Sequence, residues 1–192
     1  HIMRRRQRQM CIRDSGYAIS KDELKDLFKT SGKYINDIAE VANELNESIH
    51  QDKVTFVKNR NINYTNQCYF KCGFCGFSKG PKSFDLKEKP YNLEPQEVVA
   101  RSVEAYKDGA SEVCLQGGIH PEYTGHFYLD LVQKIKSEVP DLHIHGFTPL
   151  EIWQGAETIN LSVEDYLTLL KEAGLNTLPG TAAEILDNRI RE

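Results

Sequence analysis

The sequence predicts an α/β fold in which strand–helix units build a parallel sheet, preceded by a helical extension. Two patterns carry that prediction. From residue 53 onward, short β-prone runs alternate with longer segments whose apolar residues recur every three or four positions. Glycine or proline stands where helices must start or stop, as at Pro95, Gly109, Pro140 and Gly174. Length sets the scale: 192 residues, 40% of them hydrophobic, suffice to bury one core.

Taken in order, Lys21–Phe28 and residues 34–45 read as two helices split by Ser31-Gly32. In the second, Tyr34, Ile38, Val41, Ala42 and Leu45 form one apolar stripe that requires a packing surface. These helices define an N-terminal extension over residues 16–52. The first strand spans residues 57–65 and leads into a cysteine-bearing loop and a polar stretch to Lys89. A helix begins at Pro95 and stops before Gly109, with Val99, Val103 and Tyr106 as its expected buried side. A second strand, residues 112–116, ends in Gly117-Gly118. A second helix, residues 126–138, carries Tyr128, Leu131, Val132 and Ile135 on one face, and Pro140 stops it. The third strand covers residues 142–148. Ser162 caps a third helix with Val163, Tyr166, Leu167 and Leu170 at helical spacing, ended by Gly174. A fourth strand, residues 176–178, runs into Pro179-Gly180, and residues 182–191 begin a fourth helix. Four such units over residues 53–192 suit a doubly wound sheet or half of an eight-stranded TIM-type barrel. Half a barrel leaves two parallel edges open. The expectation is therefore a barrel whose C-terminal half is missing from this chain, or one that pairs with another half.

Charge narrows the partners. Net charge is −4, but residues 1–15 hold five arginines against one aspartate, so the remainder carries −8. An acidic body without a basic face is a poor match for a phosphate backbone, and nucleic acid is excluded. His1-Ile2-Met3 resembles a cloning remnant, and residues 1–15 are read as a non-native or artefactual leader outside the fold. No apolar run reaches the ~20 residues that span a bilayer, and no membrane partner is expected. Five cysteines, three of them clustered, argue against a disulfide framework and for a reducing, cytoplasmic setting.

The clustered cysteines carry the chemistry. Cys68, Cys72 and Cys75 lie within eight residues, in the loop that leaves the first strand. Three thiolates fix three irons of a 4Fe–4S cubane and leave the fourth free to bind a small molecule. Four-ligand zinc, completed by Cys114 or a histidine, is the competing assignment. Cys114 sits mid-strand between Val113 and Leu115 and reads as a buried thiol. Gly117-Gly118 permits close backbone approach by a ligand, or serves an ordinary turn. His120 before Pro121 is open in the same way. His143, His145 and Phe147 alternate along the third strand and should share one face, where two histidines could bind substrate or move protons. Gly180 and Thr181 at a helix start could hold a polar or anionic group. Glu184 could accept hydrogen bonds from a ribose, or merely favour the helix N-terminus.

The spacing C-x3-C-x2-C, with Phe74 before the last cysteine, resembles the signature of radical S-adenosylmethionine enzymes. Four runs narrow the resemblance: residues 59–66 into the triad, residues 112–121 (EVCLQGGIHP), residues 143–149 (HIHGFTP) and residues 178–186. They resemble the FO synthase subunits and the menaquinone futalosine-pathway enzymes. The latter tend to Pro-Gly-Gly-Gly-Ala-Glu where this chain has Pro179-Gly180-Thr181-Ala182-Ala183-Glu184, which tips the likeness to the second FO synthase subunit family, the 4-hydroxyphenyl transferases. The resemblance implies a partial radical S-adenosylmethionine barrel and two cofactors, a 4Fe–4S cluster and S-adenosylmethionine. It implies a deoxyadenosyl radical that abstracts hydrogen from L-tyrosine. The released 4-hydroxybenzyl group then joins 5-amino-6-(D-ribitylamino)uracil. A companion FO synthase subunit, which closes the deazaflavin ring, and an external electron donor are implied as partners. Cys68, Cys72 and Cys75 would ligate the cluster; Phe74, Gly117, Gly118 and Glu184 would contact S-adenosylmethionine; His143 and His145 would face the substrate as catalytic residues. Gly76 stands where relatives usually carry alanine. An inactive, metal-binding fragment is the alternative of another class.

Overall fold

The computed structural model describes residues 19–32, 34–51, 53–70, 75–79, 89–180, 185 and 187–191. The chain divides into two compact units, His1–Phe56 and Val57–Glu192. In the first, α1 (Lys21–Phe28) starts at a capping box: the Ser20 hydroxyl accepts from the Glu23 N–H, and the Glu23 carboxylate accepts from the Ser20 N–H. Helix α2 (Tyr34–His50) runs five residues past the expected end at Leu45. Neither helix buries a residue; Tyr34, Ile38 and Val41 are half-buried, and Leu45 and Ala42 are exposed. None of the helices is long and apolar enough to cross a membrane, among the described residues.

The second unit is α/β. Strands β1 (Asn59–Thr65), β2 (Glu112–Gly117) and β3 (His143–Gly146) form a parallel sheet in the order β1-β2-β3. Helix α3 (Pro95–Lys107) connects β1 to β2, and α4 (Gly125–Glu138) connects β2 to β3. Helices α5 (Pro149–Thr158) and α6 (Val163–Ala173) follow, and a single turn, α7 (Asn188–Arg191), lies near the end. Ile62, Tyr64, Val113, Leu115 and Ile144 alternate along the strands and are buried on one face. Against them pack Tyr128, Leu131, Val132 and Ile135 of α4, the residues expected there from helical spacing. On α6, Tyr166 and Leu170 are buried and Leu167 is partly so, while Val163 stays exposed.

Helix α3 corrects the sequence reading. Its buried side is Val98, Ser102 and Ala105, one position round from the expected Val99, Val103 and Tyr106. The small Ser102 and Ala105 let α3 approach β1 and β2 closely, and Ser102 Oγ satisfies itself on the Val98 carbonyl at 2.9 Å. The bulkier valines flank this contact, and Tyr106 is exposed. A similar close approach joins α4, α5 and α6. A Cβ on Gly125 would lie 2.6 Å from the Gly155 carbonyl oxygen, and the buried Tyr166 hydroxyl donates to the Gly125 carbonyl at 2.8 Å.

The third strand also departs from expectation. It ends at Gly146 rather than Thr148, and Phe147 turns through a left-handed backbone (φ 69°) into the helix-side core. There its ring packs on Tyr64 and Tyr128, so it does not share a face with His143 and His145. The strand stops because α5 begins at once: Thr148 is its N-cap, Pro149 its first residue and Glu151 closes a capping box. This helix is absent from the sequence reading. The expected fourth strand is one parallel bridge, His145 to Thr177, with backbone bonds from Asn176 and Thr177 N–H to the Ile144 carbonyl. Pro179 has no N–H with which to extend that ladder. Of the expected fourth helix only α7 is seen among the described residues; residues 181–184 lie outside them.

Candidate active site at the carboxyl ends of the strands

The cysteine loop is tied to the sheet at both ends by residues just before the triad. Thr65 and Asn66 are fully buried polar residues at the end of β1. Asn66 donates from Nδ2 to the Lys89 carbonyl (3.0 Å) and accepts at Oδ1 from the Tyr91 N–H (2.8 Å). Its own carbonyl accepts from the Lys79 N–H at 2.8 Å. Thr65 Oγ1 donates to the Tyr91 carbonyl at 2.9 Å and accepts from the Gln67 N–H at 3.1 Å. One asparagine and one threonine thus hold the start of the loop, its middle at Lys79 and its return at Lys89–Tyr91. Buried side-chain amides must find such partners, which makes the arrangement specific.

Within this frame the Cys68 N–H donates to the Lys79 carbonyl (3.2 Å), and the Tyr69 N–H donates to the Ile119 carbonyl (3.1 Å). Cys75 is exposed and its Sγ accepts from the Ser78 N–H at 3.4 Å. Cys68 is half-buried; both are free thiols. Backbone N–H groups aimed at cysteine sulfur, reducible thiols and solvent access are what a thiolate-ligated cluster requires. The residues described fit such a group. Cys72 and Phe74 lie outside the described residues, as does Glu184.

Gly117 and Gly118 form the floor beneath the loop. A Cβ on Gly117 would meet the Tyr64 ring at 2.4 Å, and one on Gly118 would meet the Gln67 carbonyl oxygen at 2.2 Å and Cys68 Cβ at 2.9 Å. The Gly118 N–H donates to the Thr65 carbonyl at 2.9 Å. Both glycines are therefore required by protein packing: the Tyr64 ring of β1 lies on Gly117, and the first turn of the cysteine loop lies on Gly118. Beyond them His120 is buried, its ring tilted against that of Tyr123 with centroids 4.6 Å apart, and accepts at Nδ1 from the Glu122 N–H (3.2 Å). Burial pushes its pKa down, so the ring is neutral with its proton on Nε2.

Below Gly117 sits a buried carboxyl. Glu151 is fully inaccessible, accepts from the Tyr64 hydroxyl and the Thr148 N–H, and is also hydrogen-bonded by the Gly117 backbone. Burial pushes its pKa up to about 7, and the same hydrogen bonds oppose that shift. Tyr64 is pushed well above the tyrosine range by burial and by the neighbouring Glu151. This carboxyl links β1, the end of β2 and the start of α5 at one point.

The other face of the sheet is polar. In register across the strands lie Asn59, Glu112 and His143, then Asn61, Cys114 and His145, then Asn63 and Gln116. Glu112 Oε1 accepts from Asn59 Nδ2 at 3.2 Å, and Oε2 lies 3.6 Å from His143 Nε2. Burial pushes the Cys114 thiol up, and Glu112 adds to that. His143 and His145 are both half-buried and both meet the Thr177 hydroxyl.

The profile of the radical SAM superfamily matches residues 62–192. The chain belongs to that superfamily. This radical SAM chain is 46% identical over 173 residues to the FO synthase of Nocardia farcinica, covering 90% of the chain and 20% of that relative. It is 41% identical to the 5-amino-6-(D-ribitylamino)uracil–L-tyrosine 4-hydroxyphenyl transferase of Methanothermobacter thermautotrophicus, covering 90% of the chain and 46% of the relative. It thus spans between a fifth and about half of the length of the curated relatives it matches. Among solved structures it resembles HydG, a maturase of FeFe-hydrogenase, with a TM-score of 0.65 at 16% identity over 91% of this chain and 36% of that one. Methylornithine synthase (PylB) superposes with a TM-score of 0.57, also at 16% identity, over 90% of this chain and 57% of that one. These two likenesses concern the fold.

For the radical SAM chain, the structure sets Cys68 against Gly118 at the carboxyl ends of β1 and β2, and Cys75 lies further along the same loop beside Ser78. His143 and His145 stand apart from them, on the polar face of β3. Three residues of this arrangement are missing from the sequence reading as site residues: Asn66, Glu151 and Thr177. Asn66 carries a local signal, a polar residue closing a strand directly before the triad. Glu151 carries one too, the capping-box pattern Thr148-x-x-Glu151. Thr177 has none, since only the pairing beside β3 makes it a partner of the histidines.

Proposed function

We propose that the protein containing this chain is a radical transferase of deazaflavin biosynthesis, joining the 4-hydroxybenzyl group of L-tyrosine to 5-amino-6-(D-ribitylamino)uracil. The observation that carries the reading is a cysteine loop buttressed by Thr65, Asn66 and Gly118, in a chain that keeps 41% to 46% identity to proteins of that naming. Cys68, Cys72 and Cys75 would hold a 4Fe–4S cluster, with Phe74, Gly117, Gly118 and Glu184 around S-adenosylmethionine. When bound, these groups supply a carbon radical that begins substrate cleavage. The chain's own contribution is placement. Asn66 and Thr65 set the loop on the sheet, and the Ser78 N–H orients Cys75. The polar face holding His143 and His145 offers hydrogen bonds and proton transfer to a substrate rich in amine, hydroxyl and carbonyl groups. A companion subunit that closes the ring and an external one-electron donor complete the reaction.

Anaerobic reconstitution of this chain with iron and sulfide tests the cluster assignment. About four irons per chain support it; stoichiometric zinc without iron would overturn it. For the full-length protein, release of 5′-deoxyadenosine that depends on both tyrosine and the diaminouracil supports the transferase. Release driven only by a futalosine-type substrate would replace it.

A further inference from the structure

We propose that Thr177 joins His143 and His145 into a proton relay across the polar face of the sheet, acting as the positioning residue that sets both rings. The relay rests on the reading that these histidines face the reaction cavity. Thr177 Oγ1 lies 2.8 Å from His143 Nε2 and 2.7 Å from His145 Nδ1. The main chain holds it there: the Gly146 N–H donates to the Thr177 carbonyl (2.9 Å), and the Thr177 N–H donates to the Ile144 carbonyl (3.2 Å). Asn176 Oδ1 accepts from the Ile144 N–H at 2.9 Å, so the threonine is tied to β3 by three bonds around it.

A hydroxyl has one proton and two lone pairs, so it can donate to only one of the two rings. Glu112 decides which. Its Oε2 lies 3.6 Å from the same His143 Nε2 that meets Thr177. A carboxylate repels a bare imidazole lone pair, so this nitrogen carries the proton and donates to Thr177. The Thr177 O–H is then directed to His145 Nδ1, which leaves the His145 proton on Nε2. The other groups on this face do not disturb the order. Asn59 already donates to Glu112, and Asn61 is uncharged. Cys114, the register partner of His145, is held as a neutral thiol.

The transfer balances without a redox partner. A proton arrives at His143 Nδ1, and the proton on its Nε2 passes to Thr177 Oγ1. The hydroxyl's own proton passes to His145 Nδ1, and His145 releases its Nε2 proton to the acceptor. One proton enters, one leaves, and neither ring keeps a charge; both rings end as the Nδ1–H tautomer, and a pass in reverse, or exchange with solvent, restores the Nε2–H pair that Glu112 favours. The acceptor class is a substrate oxygen or nitrogen that becomes basic during reaction, such as a phenolate or an amine. Both rings can run the steps in reverse, so the same relay can remove a proton.

The test is a long-range proton–nitrogen correlation spectrum of the histidine rings in this chain at pH ~8.5, about two units above the pKa of free imidazole. The expected result is the Nε2–H tautomer for both rings. Thr177→Val should return His145 to a mixture of tautomers, and Thr177→Ser should restore the single form. An Nδ1–H tautomer at either ring, or a T177V spectrum identical to that of the unsubstituted chain, overturns the relay. In the full-length protein T177V should lower kcat by ~100-fold with KM little changed, and T177S should recover it. The spectrum needs no substrate. A protein with the stated tautomers that turns over no tyrosine refutes the transferase and leaves the relay standing. Turnover of tyrosine undiminished in T177V refutes the relay.

Discussion

Replacing Glu151 by glutamine should flatten the pH dependence of this chain's stability between about pH 4.5 and 7. The carboxyl is fully buried, and its pKa is raised from 4.5 to about 7 by loss of hydration. The native state therefore keeps the proton up to about pH 7, whereas the unfolded chain releases it near the ordinary value of ~4.3. Over that window the native state binds more protons, so stability falls as pH rises. The favourable contribution is complete below the unfolded pKa and is lost as pH climbs through the folded one. Each pH unit is worth ~1.4 kcal/mol, which makes the whole effect ~3–4 kcal/mol. Glutamine keeps the shape and the acceptor oxygen for the Tyr64 hydroxyl but cannot ionise. Urea unfolding of both proteins at half-unit intervals from pH 4.5 to 8 gives the difference profile. The expected profile has E151Q losing less stability than the parent as pH rises to 7, with the two curves parallel above about 7.5. Parallel curves throughout, or a parent that gains stability relative to E151Q between pH 5 and 7, would show that Glu151 is ionised in the native state and that burial does not govern it.

Two further substitutions probe the packing beneath the site. Gly118→Ala places a methyl 2.2 Å from the Gln67 carbonyl oxygen and 2.9 Å from Cys68 Cβ, so the first ligand must shift. Iron affinity on anaerobic reconstitution should fall roughly 10-fold or more. Gly76→Ala, whose added methyl meets nothing within 4 Å, should load iron like the parent, and equal loading in G118A would refute the argument. Tyr166→Phe removes the buried hydroxyl that donates to Gly125 at 2.8 Å and leaves that carbonyl without this donor. It should destabilise the chain by ~1–2 kcal/mol in urea unfolding, and an unchanged midpoint would place water or another donor at Gly125.

The core was most legible where one face of an element is uniformly apolar. Tyr128, Leu131, Val132 and Ile135 on α4 follow from helical periodicity because burial rewards only that phase, whereas Cys114, read as a buried thiol, is only half-buried. Helix α3 defeated the same rule. Its buried face is Val98 with the small Ser102 and Ala105, and those two carry little hydrophobic signal. The start of helix α5 at Thr148, Pro149 and Glu151 is masked in the sequence by the alternation His143, His145, Phe147, which runs straight into it. The left-handed turn at Phe147 ends that alternation, and a non-glycine residue gives no local sign of such a turn.

The sequence by itself determined the α/β class, the number of cysteines in reach of one another and the likeness to radical S-adenosylmethionine enzymes. These depend on local spacing, which a linear chain displays directly. Only the tertiary structure decided that Asn66 ties three parts of the cysteine loop together, and that Gly117-Gly118 are glycines because Tyr64 and Gln67 occupy their Cβ positions. It also decided that Glu151 is a buried carboxyl beneath the loop and that one threonine serves two histidines. Each of these is a contact between residues more than ten positions apart in the chain, and a hydrogen bond or a steric limit exists only once folding brings its two sides together.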